Sequence, residues 1–414
     1  MIPQTAGMET NIKLPFSFIF ISLISLVASQ IILVMNSEII SNGIFRTPGI
    51  WSAAHLFVLG WALMVAMGAM YQLVPVAFLT PIWSEKFGFI QFGITASGII
   101  WFALALYLAP HGALIPGLFT LLGILMFIFQ MGMTLKKQAK PNILTLFVGT
   151  ALLCLFLTIF LGTFMIIIMK FGFGVDGYLI LFKSHLLLGV AGWFSLLIFG
   201  FSYKMVPMFS LAHGYQMRMA YFVYASYVIG LIVAIAGFIF NHWIVSATGF
   251  FLLFLGFLLF SRHMFIIVKK RVKKKLDRPF QFSLLAIACG LVLHFIVLVL
   301  SIFHSLERFA GPLVFLYLLT WIGFSLFGYL YKIVPFLWWT YKYSNEIGKK
   351  TVPSLKDMMN QGITVPLFLL FLGGIFIIIL GLGFHNPTVY LIGQSLVCLA
   401  VIIYSGIVFS VITK

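Results

Sequence analysis

Apolar residues in this chain follow neither the alternation of a half-buried strand nor the one-sided stripe of a soluble helix. They fill long runs on every side, broken by short polar gaps. Twelve such runs lie at about 15–35, 51–76, 88–109, 112–133, 144–169, 180–207, 219–240, 243–267, 281–303, 312–337, 364–384 and 387–411. At ~1.5 Å per residue each is long enough to cross the roughly 30 Å hydrocarbon of a bilayer. Backbone groups in lipid must find partners inside their own segment, so every run is predicted to be a helix. The first run has no small-residue cleavage pattern behind it and is read as a membrane helix rather than a leader.

Three runs close on one phrase: Gly68-Ala-Met-Tyr-Gln-Leu-Val-Pro75, Gly200-Phe-Ser-Tyr-Lys-Met-Val-Pro207 and Gly328-Tyr-Leu-Tyr-Lys-Ile-Val-Pro335. Their spacings of 132 and 128 residues make the chain a threefold internal repeat. A second mark begins eight residues ahead of each glycine: Gly60-Trp61, Gly192-Trp193 and Thr320-Trp321. The predicted fold class is therefore an all-α membrane protein of twelve transmembrane helices in three pseudo-symmetric four-helix repeats. The repeats span about 15–135, 143–268 and 280–412, within a single membrane domain covering 1–414.

Composition agrees: 63% of residues are apolar and only 8% charged, far below the quarter expected of a soluble domain. The net charge of +17 would point to nucleic acid were it not for where the charges fall. With the N-terminus inside, all but four of the 25 Lys and Arg lie on the inner face, the exceptions being Arg46, Lys170, Lys183 and Arg308. That is the positive-inside bias of a multi-pass cell-membrane protein with both termini cytoplasmic, and the partner it implies is membrane lipid, not nucleic acid. The loop from Arg262 to Arg278 carries eight basic residues against Asp277 alone and is expected to face lipid headgroups. All eight acids lie in loops or near helix ends, which argues against a proton pump or ion-coupled transporter. Lys204 and Lys332 stand at inner helix ends, where their stems can snorkel. Cys154, Cys289 and Cys398 form no metal-binding spacing.

Histidine carries the candidate chemistry. His55 and His185 are embedded near the outer ends of the second and sixth runs. A neutral imidazole in hydrocarbon needs a partner, either haem iron or a hydrogen bond to a neighbouring helix. His55 precedes its motif glycine by 13 residues and His185 by 15, which at ~100° per residue puts them on nearly opposite helix faces. If the repeats surround an axis, opposite faces of the second and sixth helices point into one shared pocket. The third repeat has Leu313 and Phe315 at these positions, so the pockets flanking its helix are expected to hold side chains or lipid, not haem. His111, His242 and His385 share the outer turn between the third and fourth helices of each repeat and are expected to be solvated. His294, midway along the ninth run, is either a further ligand or a hydrogen-bonded core residue. Met64, Met67 and Met70, and the methionines around His213, have a composition that binds Cu(I), but they are read as the ordinary filling of an apolar core.

The stretch His55-Leu-Phe-Val-Leu-Gly-Trp-Ala-Leu-Met-Val-Ala-Met-Gly-Ala-Met-Tyr-Gln-Leu-Val-Pro75 resembles the tenth-helix phrase of the haem–copper oxidase subunit I superfamily, nearest to its cbb3-type members. Ser184-His185-Leu-Leu-Leu-Gly189 is similar to the opening of their sixth helix. The resemblance implies a cytochrome c oxidase subunit I-like fold with three four-helix arcs. It also implies one bis-histidine haem b, ligated by His55 and His185. The superfamily's copper site needs a histidine pair on the seventh helix, and residues 219–240 contain none, so copper is not expected and neither is oxygen reduction at a binuclear centre. No Cys-x-x-Cys-His motif exists to attach haem covalently. The expectation is thus a membrane haem protein for electron transfer or diatomic-gas sensing, with quinol or a respiratory complex as a partner. If it is an enzyme, it is an oxidoreductase without the haem–copper centre. The alternatives are a protein handling haem or copper during oxidase assembly, and a transporter of a neutral solute. Trp61, Trp193, Tyr71 and Tyr203 are either pocket lining or packing.

Overall fold

A computed structural model of the chain describes residues 10–360 and 362–414. Those residues fold almost wholly as helix, and the one β-type pairing among them is an isolated bridge between Ala212 and Arg271. Among the described residues twelve helices are long and apolar enough to cross a membrane: α1 (Lys13–Met35), α2 (Pro48–Phe78), α3 (Glu85–Leu108), α4 (Leu114–Leu135), α5 (Ile143–Phe171), α6 (Val175–Ser210), α7 (Arg218–Ile239), α8 (Trp243–Lys269), α9 (Arg278–Ile302), α10 (Leu306–Glu346), α11 (Thr364–Gly383) and α12 (Pro387–Thr413). The predicted runs all lie on these helices. The largest difference is α10, which passes both ends of the run predicted at 312–337, because its apolar stretch continues into helical turns bearing Glu307, Arg308, Lys342 and Glu346.

Local chemistry sets several boundaries. Ser84 caps α3 by accepting from the Phe87 amide, and Asn142 and Thr145 form a reciprocal capping box at the start of α5. Asn386 accepts from the Val389 amide, with Pro387 opening α12. Pro75 and Pro207 sit inside the last turns of α2 and α6. Each helix ends four residues later on a left-handed leucine, Leu79 at φ 52° and Leu211 at φ 53°, whose amide donates to the proline carbonyl. A proline offers no N–H to the carbonyl four residues back; at Pro75 that carbonyl, of Tyr71, accepts from the Thr10 hydroxyl at 2.8 Å instead.

The chain divides into two compact units. The first runs to Thr134 and adds Arg278–Phe282 and Leu326–Lys414; the second holds Leu135–Asp277 and Ser283–Ser325. In the first, the two glycines of the α2 phrase are places of close approach to α1. A Cβ on Gly60 would meet Ser25 Cβ at 2.7 Å, and one on Gly68 would meet the Pro15 carbonyl at 2.8 Å. Tyr71 then stacks on Phe18 with ring centroids 5.5 Å apart. The second unit repeats this seam between α6 and α5. Gly192 abuts Cys154, Gly200 abuts Phe147 at 2.9 Å, and Tyr203 lies over Phe147 at 5.7 Å.

Hairpins of small residues complete both units. Gly230 and Gly256 of α7 and α8 press on the backbone of Leu253 and Tyr227, and Gly249 presses on Ala234. In α11 and α12, Gly374 and Gly393 fit the same way against Val397 and Ile378. Without a hydrophobic drive between helices in lipid, such close backbone packing is what holds neighbouring helices together.

Candidate functional site

His55 and His185 each stand where an α-helical turn gives way to a wider one. Residues Leu56–Leu63 of α2 and Leu187–Ser195 of α6 are π-helical, with each amide reaching five residues back. A third π stretch, Leu318–Gly323, lies in α10. All three contain the Gly/Thr-Trp mark, and Trp61, Trp193 and Trp321 are buried. Extra turns of this kind were not anticipated from the sequence, since they leave no periodic signature.

In the first unit, the His55 Nδ1–H donates to the Trp51 carbonyl at 2.7 Å, and the edge-on ring meets Phe102 at 5.2 Å. In the second unit, the His185 Nδ1–H donates to the Thr158 carbonyl of α5 at 2.9 Å. Its ring lies against the bare backbone of Gly162, where a Cβ would come within 2.9 Å of Cε1. A carbonyl can only accept, so in both rings Nδ1 carries the proton and Nε2 carries the lone pair. This is the tautomer and the outer-shell bond that orient an imidazole for a metal. Both residues are half-buried. Nearby indole groups add a second feature: Nε1 of Trp61 and of Trp193 is buried without a hydrogen-bond partner, whereas Trp321 Nε1 donates to Ser195 Oγ at 3.0 Å. A buried orphan donor costs about 1–3 kcal/mol and suits an acceptor from a bound group. Each imidazole by itself thus has the tautomer of an iron ligand, with a buried orphan indole N–H on its own helix.

The other histidines are engaged differently. His294 donates through Nδ1 to the Gly290 carbonyl at 2.7 Å and accepts at Nε2 from the Tyr227 hydroxyl at 3.2 Å. Both nitrogens are satisfied, so of the two roles open to it the core role is the one its surroundings support. Beside it the Tyr317 hydroxyl pairs with Ser195 at 2.8 Å, and Phe257 packs on the imidazole at 4.3 Å. Side chains of α6, α8, α9 and α10 thus meet around Tyr317 in the second unit. His263 is likewise spanned, accepting from the Tyr203 hydroxyl at 3.2 Å and donating to the Gln216 carbonyl at 3.0 Å. His111, His242 and His385 are exposed in their turns, His385 with Nδ1 3.1 Å from the Ser41 carbonyl. Among the described residues no three of His, Cys, Asp or Glu gather into a metal-binding group. Tyr71 and Tyr203 belong to the packing seam, and Tyr71 also donates to Gln91 at 3.0 Å.

No protein-family model matches the chain, and no curated protein matches it in sequence.

Proposed function

We propose that this is an integral-membrane b-type haem protein with an oxidase subunit I-like arrangement of three four-helix repeats, with His55 and His185 as the residues that would hold haem. The observation that carries the reading is how the two imidazoles are held: each has Nδ1–H committed to a main-chain carbonyl, which fixes the ring and the tautomer in which a histidine ligates iron. His294, the other histidine deep in a helix, has spent both nitrogens on protein partners. The repeat reading draws support from the three π stretches, from the matching glycine seams of α2 on α1 and α6 on α5, and from the leucine caps after Pro75 and Pro207.

Haem held by His55 and His185 would supply a one-electron iron couple, chemistry that suits electron transfer or the sensing of a diatomic gas. The chain's part is to hold the rings in one tautomer and to keep the surroundings apolar. Quinol or a respiratory complex in the cell membrane would supply the electron, with the lysine-rich face toward the cytoplasm.

Reduced-minus-oxidised spectra with a pyridine haemochrome assay on purified protein test this directly. The wild type is expected to give a low-spin b-type spectrum, lost in His55→Ala and in His185→Ala and kept in His111→Ala, His242→Ala and His385→Ala. A colourless wild type ends the haem reading.

A further inference from the structure

A groove of about 570 Å³ opens between the basic-side ends of α7 and α8 in the second unit. Arg218 and Lys270 stand at its mouth, and Met219, Phe222, Leu259 and Ile266 form its walls. No carboxylate lines it, and Asp277, the acid of the adjoining loop, is paired with Lys273 at 2.7 Å. Arg218 is exposed and enters no ion pair among the described residues.

The groove is shaped by bonds that need no occupant. His263 forms one wall and ties the Gln216 carbonyl to Tyr203 of α6. The Lys270 ammonium donates to the Gly214 carbonyl, leaving two N–H groups to offer. The Val272 amide donates to Leu211 at 3.2 Å, beside the Ala212–Arg271 bridge. These bonds pin the 211–217 turn and the start of the basic loop together.

We propose that this groove holds one anionic phospholipid, its phosphate between Arg218 and Lys270 and an acyl chain along Phe222 and Leu259. The cations alone would serve any anion. The apolar wall decides between sources: Ile266 and Leu259 are two turns apart on α8, about 10 Å of hydrocarbon surface running away from the charges. A soluble anion has no use for that surface, whereas a lipid tail covers it. The site does not depend on the haem reading.

Native mass spectrometry of the full chain released from phosphatidylcholine nanodiscs doped with phosphatidylglycerol tests the proposal. Wild type is expected to retain one phosphatidylglycerol against the excess of phosphatidylcholine. Arg218→Gln should weaken that retention about tenfold. Phe222→Trp and Leu259→Trp should weaken it similarly with both cations in place, each obstructing the tail channel from a different helix. Lys274→Gln/Lys275→Gln, removing two exposed charges of the same loop outside the groove, should leave it unchanged. Equal loss in the Lys274/Lys275 variant would mean diffuse attraction to headgroups and overturn the site. Equal retention of phosphatidylcholine would overturn it too, as would displacement of the lipid by millimolar inorganic phosphate, which would mark a simple anion site.

Discussion

At the scale of single residues, His185 and His294 are each held by a partner that sits on another helix. Sequence identifies histidines deep in apolar runs, but the Thr158 carbonyl, Gly162 and the Tyr227 hydroxyl reach them only through packing, from positions 27, 23 and 67 residues away. The pair His55 and His185 was therefore legible as candidates, and their orienting bonds were not. Two outcomes follow. Gly162→Ala places a methyl against His185 Cε1 and should turn the ring from its carbonyl while keeping the ligand itself. Haem retention, measured by titration against a competing haem-binding protein, is expected to fall about tenfold, the scale of an outer-shell change. His294→Leu should keep the haem spectrum yet lower thermal stability by about 0.5–1.5 kcal/mol, because the Tyr227 hydroxyl, which also meets Ser195 and Tyr317, loses its bond to Nε2. Tyr227→Phe in the same background should recover part of that loss, which a double-mutant cycle on unfolding midpoints reads out.

At the scale of elements, the twelve helices were plain in the sequence because nothing else satisfies so long an apolar backbone. The phrase repeated around Gly68 and Gly200 was equally plain, but its meaning was not. Its glycines serve a helix crossing, with Phe18 and Phe147 as the facing residues, and that pairing joins positions some 50 residues apart that no local pattern links. The π stretches were illegible for another reason: one wider turn changes which carbonyl an amide chooses without changing which residue types are needed. The glycine seams give a direct test. Gly249→Val drives a branched side chain into the Ala234 backbone and is expected to cost at least about 1–3 kcal/mol, the usual penalty of overpacking. Gly149→Ala, whose Cβ would meet nothing within 4 Å, should be neutral or stabilising by up to about 1 kcal/mol. Thermal unfolding followed by helical circular dichroism in detergent distinguishes the two.

At the scale of the whole molecule, charge placement and compact units carry different information. Lysine and arginine segregate by loop, and the sidedness they imply is open to a direct test. Single cysteines introduced at His111, His242 and His385 should react with an impermeant maleimide from one side of sealed vesicles, and those at Lys86 and Lys274 only from the other; mixed labelling would refute the twelve-span threading. The division into units was not legible, because it cuts α9 after Phe282 and α10 after Ser325, inside uninterrupted apolar runs.

The acids of the described residues never enter a helix by more than two residues from its end, Glu85, Asp176, Glu307 and Glu346 being the ones within the long helices. Transmembrane voltage does work only on charge that moves through the field, roughly 2.3 kcal/mol per elementary charge at 100 mV. With no carboxylate deeper than that among the described residues, the folded chain offers the field few charges to pull on. Its conformation should therefore be nearly indifferent to membrane potential, and under the haem proposal any electrical response would belong to an electron passing through the protein.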